Sequence, residues 1–349
     1  MNQDYKIKMK KGFLVPLTLC ASLTCQANDY YFDPVFSIME RYYSNLFLFT
    51  DPQQDNWITN LSPGLNFGMR HENGDLKANF TWNQLFYTNQ SALDVSEQLF
   101  SLAYNRKSER LLWGASGYYN NQASTNTQGT VLGVPGFTQV MAKQLSIAPT
   151  VSYALDEQSS LAFDYSYNKT TYDKNTTSFL IDYDYHQASG VYSYLYTEKD
   201  KLNVTLSSSR YHSPTQDFTT YNNVAQLGWQ HSFSEQIVTY LSAGMNYAVS
   251  ETQLRFLGYN SEGLPVYLDP QNGLTLQQQY NKTALGAVYQ ASVKKSFEKG
   301  SASLVGLQNQ TPTSQGLQTQ TQVAIDAAYT INERWTSGLS SSYTVYEVT

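Results

Sequence analysis

The sequence predicts an all-β protein, a transmembrane antiparallel up-and-down β-barrel of about 16 strands, and three observations support this prediction. Apolar and polar side chains alternate with a period of two along most of the chain, in segments long enough to cross a bilayer when tilted. Only 14% of the 349 residues are charged and 29 are tyrosines, whereas a soluble domain is usually about a quarter charged. After residue 27 no run of about 18 apolar residues occurs, which excludes helical membrane spans.

The first 27 residues have the organisation of a secretory signal peptide. Four lysines between residues 6 and 11 precede a short apolar core, residues 13–23, and Cys25-Gln26-Ala27 is a small-x-small cleavage site. Lipidation of Cys25 is disfavoured because Thr24 precedes it in place of Gly, Ala or Ser. We therefore expect two parts, a signal peptide (residues 1–27) and one outer-membrane β-barrel domain (residues 28–349).

Composition limits the chemistry and the partners of the mature chain. Both cysteines, Cys20 and Cys25, lie in the signal segment, so the barrel has no disulfide, thiolate nucleophile or thiolate metal site. The segment also holds four of the 22 basic residues and one of the 28 acidic residues, which leaves 18 against 27 and a formal charge of −9. This charge excludes nucleic acid as a partner. The expected partners are the lipid and lipopolysaccharide of a Gram-negative outer membrane, polysaccharide is a further candidate, and the oligomeric state stays open.

A hairpin between Trp57 and Trp82 shows the alternating pattern most clearly. Its turn, Asn73-Gly74, lies between two alternating runs and is the strongest short-range signal of a β-hairpin. One face of the hairpin is apolar and comprises Trp57, Leu61, Leu65, Phe67, Met69, Leu76, Ala78, Phe80 and Trp82. Asparagine, serine, glycine and charged residues occupy the other face, so one face suits lipid and the other suits water.

The same alternation predicts the remaining strands, for a total of fifteen with the hairpin. They cover residues 35–49, 95–106, 111–120, 145–153, 161–168, 179–196, 202–211, 218–233, 237–249, a segment ending at 297, 301–310, 323–331 and 335–348. Pro63 and Pro149 each remove one ladder hydrogen bond, so we predict bulges at both positions. The apolar parity changes between Tyr183 and Tyr192, which indicates a turn or, as the preferred interpretation, a bulge within residues 187–190.

Short connections alternate with longer ones, as periplasmic turns alternate with extracellular loops in bacterial barrels. The two longest connections, residues 122–140 and 250–273, belong to the extracellular set. Fifteen strands place the mature N-terminus and Thr349 on opposite sides of the membrane, whereas bacterial barrels have even numbers of strands. We therefore expect that one closing strand is missing from this chain or that the count is wrong by one. A barrel of about 16 strands encloses an aqueous lumen.

Residues 40–87 resemble a known family. The segment Glu40-x-Tyr42-x-Ser44-Asn45-Leu46, the run from Trp57 to Leu65, and the short turn and aromatic strand that follow resemble the PEP-CTERM-system-associated outer-membrane β-barrel family of porin-like proteins. The resemblance implies a barrel that accompanies exopolysaccharide production and export, and it implies no catalytic residues. The chain departs from the family in having no acidic residue before Asn45 and no aromatic residue at its end.

Charged residues at inward-facing positions are the predicted lining of the lumen. Two aspartates and one histidine alternate within residues 182–186, and Asp164 lies on the preceding strand. Carboxylate and imidazole groups suit a divalent cation, but the preferred interpretation is a solvated wall without a metal, because porin lumens are generally polar. Basic residues, Arg106 among them, are expected to set a transverse field. The predicted lumen-lining residues are Arg70, Lys77, Asp164, Asp182, Asp184, His186 and Lys294.

Two further sets of residues admit alternative interpretations. Six tyrosines form either interfacial girdles, the preferred interpretation, or an aromatic path for sugars: Tyr118, Tyr165, Tyr183, Tyr192, Tyr194 and Tyr196. His212, Ser213 and Asp217 suggest a hydrolytic set. However, Ser213 precedes Pro214 in a predicted loop, and no nucleophile elbow surrounds it.

These observations favour an outer-membrane barrel that acts as a porin-like pore or structural component, with the link to exopolysaccharide resting on the resemblance. The first alternative is a binding or adhesion barrel that acts through its long extracellular loops. The second alternative is an outer-membrane hydrolase, which requires His212 and Ser213 to converge with an acid. We expect no enzymatic activity, no cofactor and no metal site.

Overall fold

A computed structural model describes residues 29–44, 46, 55–123, 140–173, 180–214, 217–253, 255–260, 262–269, 273–276, 279–313, 316–332 and 334–348. The predicted signal peptide and most of the connection 122–140 lie outside these residues. The predicted all-β fold is confirmed, since the described chain consists of strands with one short 3-10 helix, Ser91–Leu93. Within the described ranges no helix is long and apolar enough to cross a membrane.

Fifteen strands form one antiparallel sheet in which each strand pairs with its neighbours along the chain, which is the predicted up-and-down order. Three short strands form a separate sheet between β11 and β15: β12 (Arg255–Tyr259), β13 (Pro265–Asp269) and β14 (Gly273–Thr275). The main strands are β1 (Asp29–Tyr43), β2 (Asn56–His71), β3 (Gly74–Tyr87), β4 (Val95–Lys107), β5 (Leu111–Ala123), β6 (Met141–Ala154), β7 (Ser159–Tyr172), β8 (Tyr183–Leu195), β9 (Asp200–Ser213), β10 (Phe218–Ser232), β11 (Ile237–Gln253), β15 (Gln279–Phe297), β16 (Gly300–Thr313), β17 (Gly316–Asn332) and β18 (Trp335–Val348).

The first strand lies earlier in the chain than predicted. It covers Asp29–Tyr43 and not residues 35–49. Pro34 is compatible with this strand because β1 is the first strand of the sheet order and pairs only with β2 among the described strands, where a missing N–H costs little. The alternation of Tyr30, Phe32, Phe36 and Ile38, each more than 40% exposed, is the sequence signal for this position.

The pairing register assigns every side chain of the sheet to one of two faces, because paired residues of antiparallel strands share a face. One row across β1–β7 is mainly apolar: Phe32, Phe67, Ala78, Leu102, Gly117, Ile147 and Tyr167. The adjacent row is polar: Asp33, Asn66, Asn79, Ser101, Tyr118, Ser146 and Asn168. We call the first the outer face and the second the lumenal face.

The two prolines inside strands do not cause bulges. The pairs on either side of Pro63 keep a single register between β2 and β3, and those around Pro149 keep a single register between β6 and β7. Each proline removes ladder bonds on one side of its strand, while its strand stays paired without a shift on the other side. The predicted bulges at these positions are therefore wrong.

The predicted bulge in β8 is also wrong. Residues 183–195 pair with β7 and with β9 in one continuous register. As a result Tyr183 and Tyr185 lie on the lumenal face, whereas Tyr192 and Tyr194 lie on the outer face. The parity change in the sequence reflects tyrosines on both faces and not an extra residue.

The two ends of the sheet differ, as predicted. All connections at one end, which we call the turn end, have two to four residues, such as 72–73 and 155–158, and all longer connections lie at the other, the loop end. Two short connections, 214–217 and 314–315, also lie at the loop end, so the predicted longer connection between residues 310 and 323 is wrong. Asp156 shows how the turns are held. Its carboxylate accepts hydrogen bonds from the hydroxyl (2.6 Å) and N–H (2.7 Å) of Ser159 and from the N–H of Gln158 (2.8 Å). These bonds, that of the hydroxyl first, lower the pKa of Asp156, so their stabilisation is present at neutral pH and is lost as the pH falls through the lowered pKa.

Candidate functional site: the lumenal wall

A groove of about 560 Å³ runs along the lumenal face of β1–β6. Its lining includes Tyr31, Asp33, Lys77, Asn79, Ser101 and Tyr118. The ring of Tyr31 lies directly over Gly68, at a place where any Cβ would overlap with the ring. The absence of a side chain at this position therefore lets the aromatic ring lie close to the wall.

Polar groups follow one another along this groove. The side-chain amide of Asn79 donates to that of Asn66, and the hydroxyl of Thr81 donates to Asn79 over 3.4 Å. The ammonium group of Lys77 lies 3.0 Å from the carboxylate of Asp75, and the Lys77 side chain is 61% exposed. Aromatic faces beside amide, hydroxyl and charged groups form a surface suited to a solute that carries many hydroxyl groups.

Four of the predicted lumen-lining residues lie on the lumenal face. Arg70 has its guanidinium carbon 5.8 Å from the ring centroid of Tyr31, and Lys77 lines the groove. Asp164 pairs with Ser189 across β7 and β8, and Lys294 pairs with residues 238 and 303. Arg70 and Lys77 lie on adjacent strands and line a common pocket near the turn end. Asp164 and Lys294 lie on distant strands, so the four residues do not form one site.

The other three predicted residues are placed differently. Asp182 precedes β8, where its carboxylate accepts a hydrogen bond from the N–H of Tyr172 (2.8 Å). Asp184 and His186 lie on the outer face, since they pair with Lys169 and Tyr167. Their predicted lumenal position is wrong because β8 has no bulge and its first tyrosines face the lumen.

The predicted grouping of two aspartates, His186 and Asp164 therefore does not form. Asp164 lies on the lumenal face and Asp184 on the outer face, and Arg106, paired with Trp113, also lies on the outer face. Among the residues that the structure describes, no group of three or more His, Cys, Asp or Glu side chains is placed to hold a metal ion.

His212 and Ser213 point to opposite faces of β9. The imidazole Nδ1 of His212 lies on the outer face, 2.9 Å from the hydroxyl of Thr219. Ser213 pairs with Phe218 on the lumenal face and is fully buried. The two residues on which a hydrolytic set was based therefore do not converge, and the fold offers no dyad at this position.

The tip of the β16–β17 hairpin folds onto the lumenal wall. Pairing between β15 and β16 ends at Tyr289 and Gln308, although both strands continue toward the loop end. Beyond this point Asn222 on β10 donates its side-chain N–H to the backbone carbonyl of Gln310 over 3.0 Å, and Asn246 donates to Asn222 over 3.2 Å. A Cβ at Gly286 would lie 2.6 Å from the side-chain oxygens of both Asn246 and Gln310, so this glycine permits the close approach.

This contact, which we call the lumenal seam, is among the most buried parts of the described chain. Ala248, Val288 and Leu317 are at most 3% exposed there. A second cluster, Ile58, Leu85 and Tyr87 with Leu46, Leu93 and Val95, covers the lumenal face of β2–β4 near the loop end. The lumen is thus narrowed at its loop end from two sides.

Sequence reasoning missed the lumenal seam, although the sequence contains a signal for it. The outer-face positions of β16 and β17 near the loop end are polar: Gln308, Gln310, Thr319 and Thr321. Lipid-facing positions are generally apolar, so this polar stretch indicates a surface that packs against protein.

Comparisons with known proteins bear on the fold. The structure is similar to the copper transporter OprC, with a TM-score of 0.52 and 8% identity over 91% of this chain and 55% of that chain. It is also similar to the ferric-catecholate import receptor Fiu from E. coli K12 (TM-score 0.49, 8% identity, 91% of this chain, 58% of that one). A third similar structure is OmpT, an outer membrane protein of Vibrio cholerae (TM-score 0.36, 9% identity, 75% and 100%). No protein-family model matches the sequence, and no curated protein is similar to it in sequence.

The likeness to OprC shows the fold, an outer-membrane β-barrel, and the chain spans just over half the length of that protein. The outer face supports the same localisation, because its large apolar side chains are exposed, including Leu227 (68%) and Phe32 (65%). A barrel whose apolar face points outward buries that face in lipid. The chain is therefore placed in the bacterial outer membrane.

Proposed function

We propose that this outer-membrane barrel is a porin-like pore for hydroxyl-rich solutes and that it takes part in exopolysaccharide production or export. The observation that carries the proposal is the lumenal groove, in which Tyr31 and Tyr118 lie beside amide, hydroxyl and charged side chains. Flat aromatic rings pack against the apolar faces of sugar rings, while the polar groups bond to their hydroxyls. The link to exopolysaccharide is supported by the resemblance of residues 40–87 to the barrel family named above.

The groove is compatible with passage and not only with tight binding. Asp33 and Lys77 bring charges of both signs to its lining. The electrostatic potential of the groove therefore excludes neither anions nor cations. Conduction requires sites that bind weakly enough to release their solute. A shallow wall groove with one or two aromatic rings meets this requirement.

Tyr118 provides a direct test. We expect stable single-channel steps from the refolded full-length protein in a planar bilayer, and we expect oligosaccharide fragments of acidic polysaccharide to block them. Tyr118→Ala should raise the blocking concentration about fivefold to tenfold, the effect of losing roughly 1 kcal/mol of aromatic contact. The readout is the oligosaccharide concentration that blocks half of the current.

The matched control is Tyr119→Ala, which removes an equally exposed tyrosine (41%, against 38% for Tyr118) from the outer face of the same strand. The control should leave the block unchanged. A folded protein without conductance would contradict the pore, and equal blocking of both variants would contradict the role of the groove.

A binding barrel that acts through its loops is the second candidate function, and the small sheet β12–β14 favours it. This sheet exposes large apolar side chains at the loop end, including Tyr259 (72%) and Leu274 (71%), as surfaces that meet a partner often do. Replacement of residues 255–276 by a short Gly-Ser linker should then abolish retention of the protein on immobilised polysaccharide while conductance persists. Undiminished retention would contradict this candidate.

A further inference from the structure

The outer wall of β7–β10 carries an ionisable cluster near the loop end. Two adjacent rows cross these four strands in register. The first row is Lys169, Asp184, His212 and Thr219, and the second is Tyr167, His186, Arg210 and Tyr221. Rows two residues apart along a strand are separated by about 7 Å, so all these side chains lie within one patch, which we call the basic patch.

Asp184 organises the basic patch. Its carboxylate lies 3.8 Å from Nε2 of His186 and 4.0 Å from the guanidinium of Arg210, and it pairs in register with Lys169 and His212. The hydroxyl of Tyr165 lies 2.7 Å from Nδ1 of His186. One acid among two permanent cations and two histidines leaves an excess of positive charge. Arg210 and His186 keep 41% and 36% of their side-chain surfaces exposed, so this charge is available to a partner.

The sign of this patch is opposite to that of the net charge of the chain. A further outer-face cation near the loop end, Lys143 on β6, is neutralised by Asp173 at 2.9 Å. On β1, β11 and β18 the charged outer-face residues closest to the loop end are acids, Glu40, Glu251 and Glu347, and the mature chain is expected to carry a net charge of −9. A local positive excess on such a chain is a specific feature, and its chemistry matches a phosphate group, to which arginine can bind through two parallel hydrogen bonds.

An apolar groove of about 650 Å³ adjoins the basic patch on the same outer wall. It begins directly below the second row, toward the turn end, and its outer-face lining includes Phe163, Ala188, Gly190, Leu206, Ala225 and Met245. A Cβ added at Gly190 would meet no atom within 4 Å, which confirms that the floor of the groove is open. The apolar lining of the groove suits an acyl chain.

We propose that the basic patch and this groove form one site for a phosphorylated glycolipid of the outer leaflet, with phosphate on Arg210, Lys169 and the two histidines and one acyl chain in the groove. The loop end faces the cell exterior in bacterial barrels, so the patch lies at the headgroup level of that leaflet. Charge complementarity and the continuity of the groove with the patch both favour this occupant. The site is on the lipid-facing wall and is independent of the lumenal pore.

Native mass spectrometry of the full-length protein with added bis-phosphorylated lipid A tests the proposal. Lys169→Ala combined with Arg210→Ala should weaken retention of this lipid by about tenfold to thirtyfold, since each surface cation near a membrane contributes roughly threefold to fivefold. The matched control is Lys295→Ala, which removes a cation from the outer face at the turn end and should leave retention unchanged. Equal retention by all three proteins would overturn the proposal.

Two further arms separate the phosphate from the acyl chain. Lipid A without phosphates should bind to the wild type as weakly as phosphorylated lipid A binds to the double variant. Gly190→Phe, which fills the groove, should weaken binding of lipid A but leave binding of its deacylated phosphorylated headgroup unchanged. If the deacylated headgroup binds as tightly as the lipid, or if Gly190→Phe has no effect, the lipid site is wrong and the patch binds only a soluble phosphate.

Discussion

Replacement of Gly286 by valine is expected to expel the tip of the β16–β17 hairpin from the lumenal wall and to increase the single-channel conductance of the barrel. The added Cβ would lie 2.6 Å from the side-chain oxygens of Asn246 and Gln310. Because Asn246 is only 1% exposed, its amide group has little room to move aside, and overpacking of a buried contact costs roughly 1–3 kcal/mol. The lumenal seam has few favourable interactions that could offset this cost. The side-chain oxygens of Asn246 and Gln310 are buried without a hydrogen-bond partner in the described structure, and each such group weakens the seam.

The control for this experiment is Gly306→Val, on the same hairpin. A Cβ at Gly306 would meet no atom within 4 Å, so this variant adds the same side chain without pressure on the seam. Its conductance should match that of the wild type. If Gly286→Val folds, as judged by heat-modifiable migration on a gel, and its conductance equals that of the control, then the lumenal seam does not narrow the pore.

Replacement of Leu227 by arginine is expected to prevent or severely weaken folding into lipid vesicles. Leu227 lies on the outer face of β10, paired with Val204 and Ala243, and is 68% exposed. An arginine near the middle of the lipid-facing wall costs about 2–4 kcal/mol. The measurement is the urea dependence of folding in vesicles, followed by tryptophan fluorescence.

The adjacent lumenal residue supplies the comparison. Gln226 pairs with Thr205 and Gly244 on the lumenal face of the same strand, so Gln226→Arg places the same charge in water. This variant should fold with nearly wild-type stability. Similar losses of stability in both variants would contradict the assignment of the two faces.

Strand alternation is a local property, and the sequence therefore determined most of the sheet. The period of two is set by the backbone itself, and the apolar set must face lipid. For this reason the number of strands, their antiparallel order and the different connections at the two ends could be predicted from the chain, and Arg70 and Lys77 could be placed with the polar residues, whereas the bounds of β1 were predicted wrongly. The errors arose where this signal is ambiguous. Tyrosine suits both a lumenal wall and a lipid interface. The alternation in β8 therefore predicts Tyr183 and Tyr185 on the outer face and Asp184 and His186 on the lumenal face, and the structure shows the reverse.

The residues that make up the basic patch and the lumenal seam are brought together only by the tertiary structure. The patch joins Lys169, Asp184 and Arg210 from three strands, and it exists because two independent registers bring them into line. The seam joins Asn222 and Gln310, which are 88 residues apart. The polar outer-face positions of β16 and β17 indicate a contact with protein, but they do not identify the strands that are contacted. The sequence by itself determined which side of each strand meets lipid, because that choice repeats at every second residue. The curvature of the sheet and the contacts between distant strands depend on many strand pairings acting together. They can therefore be read only from the folded chain.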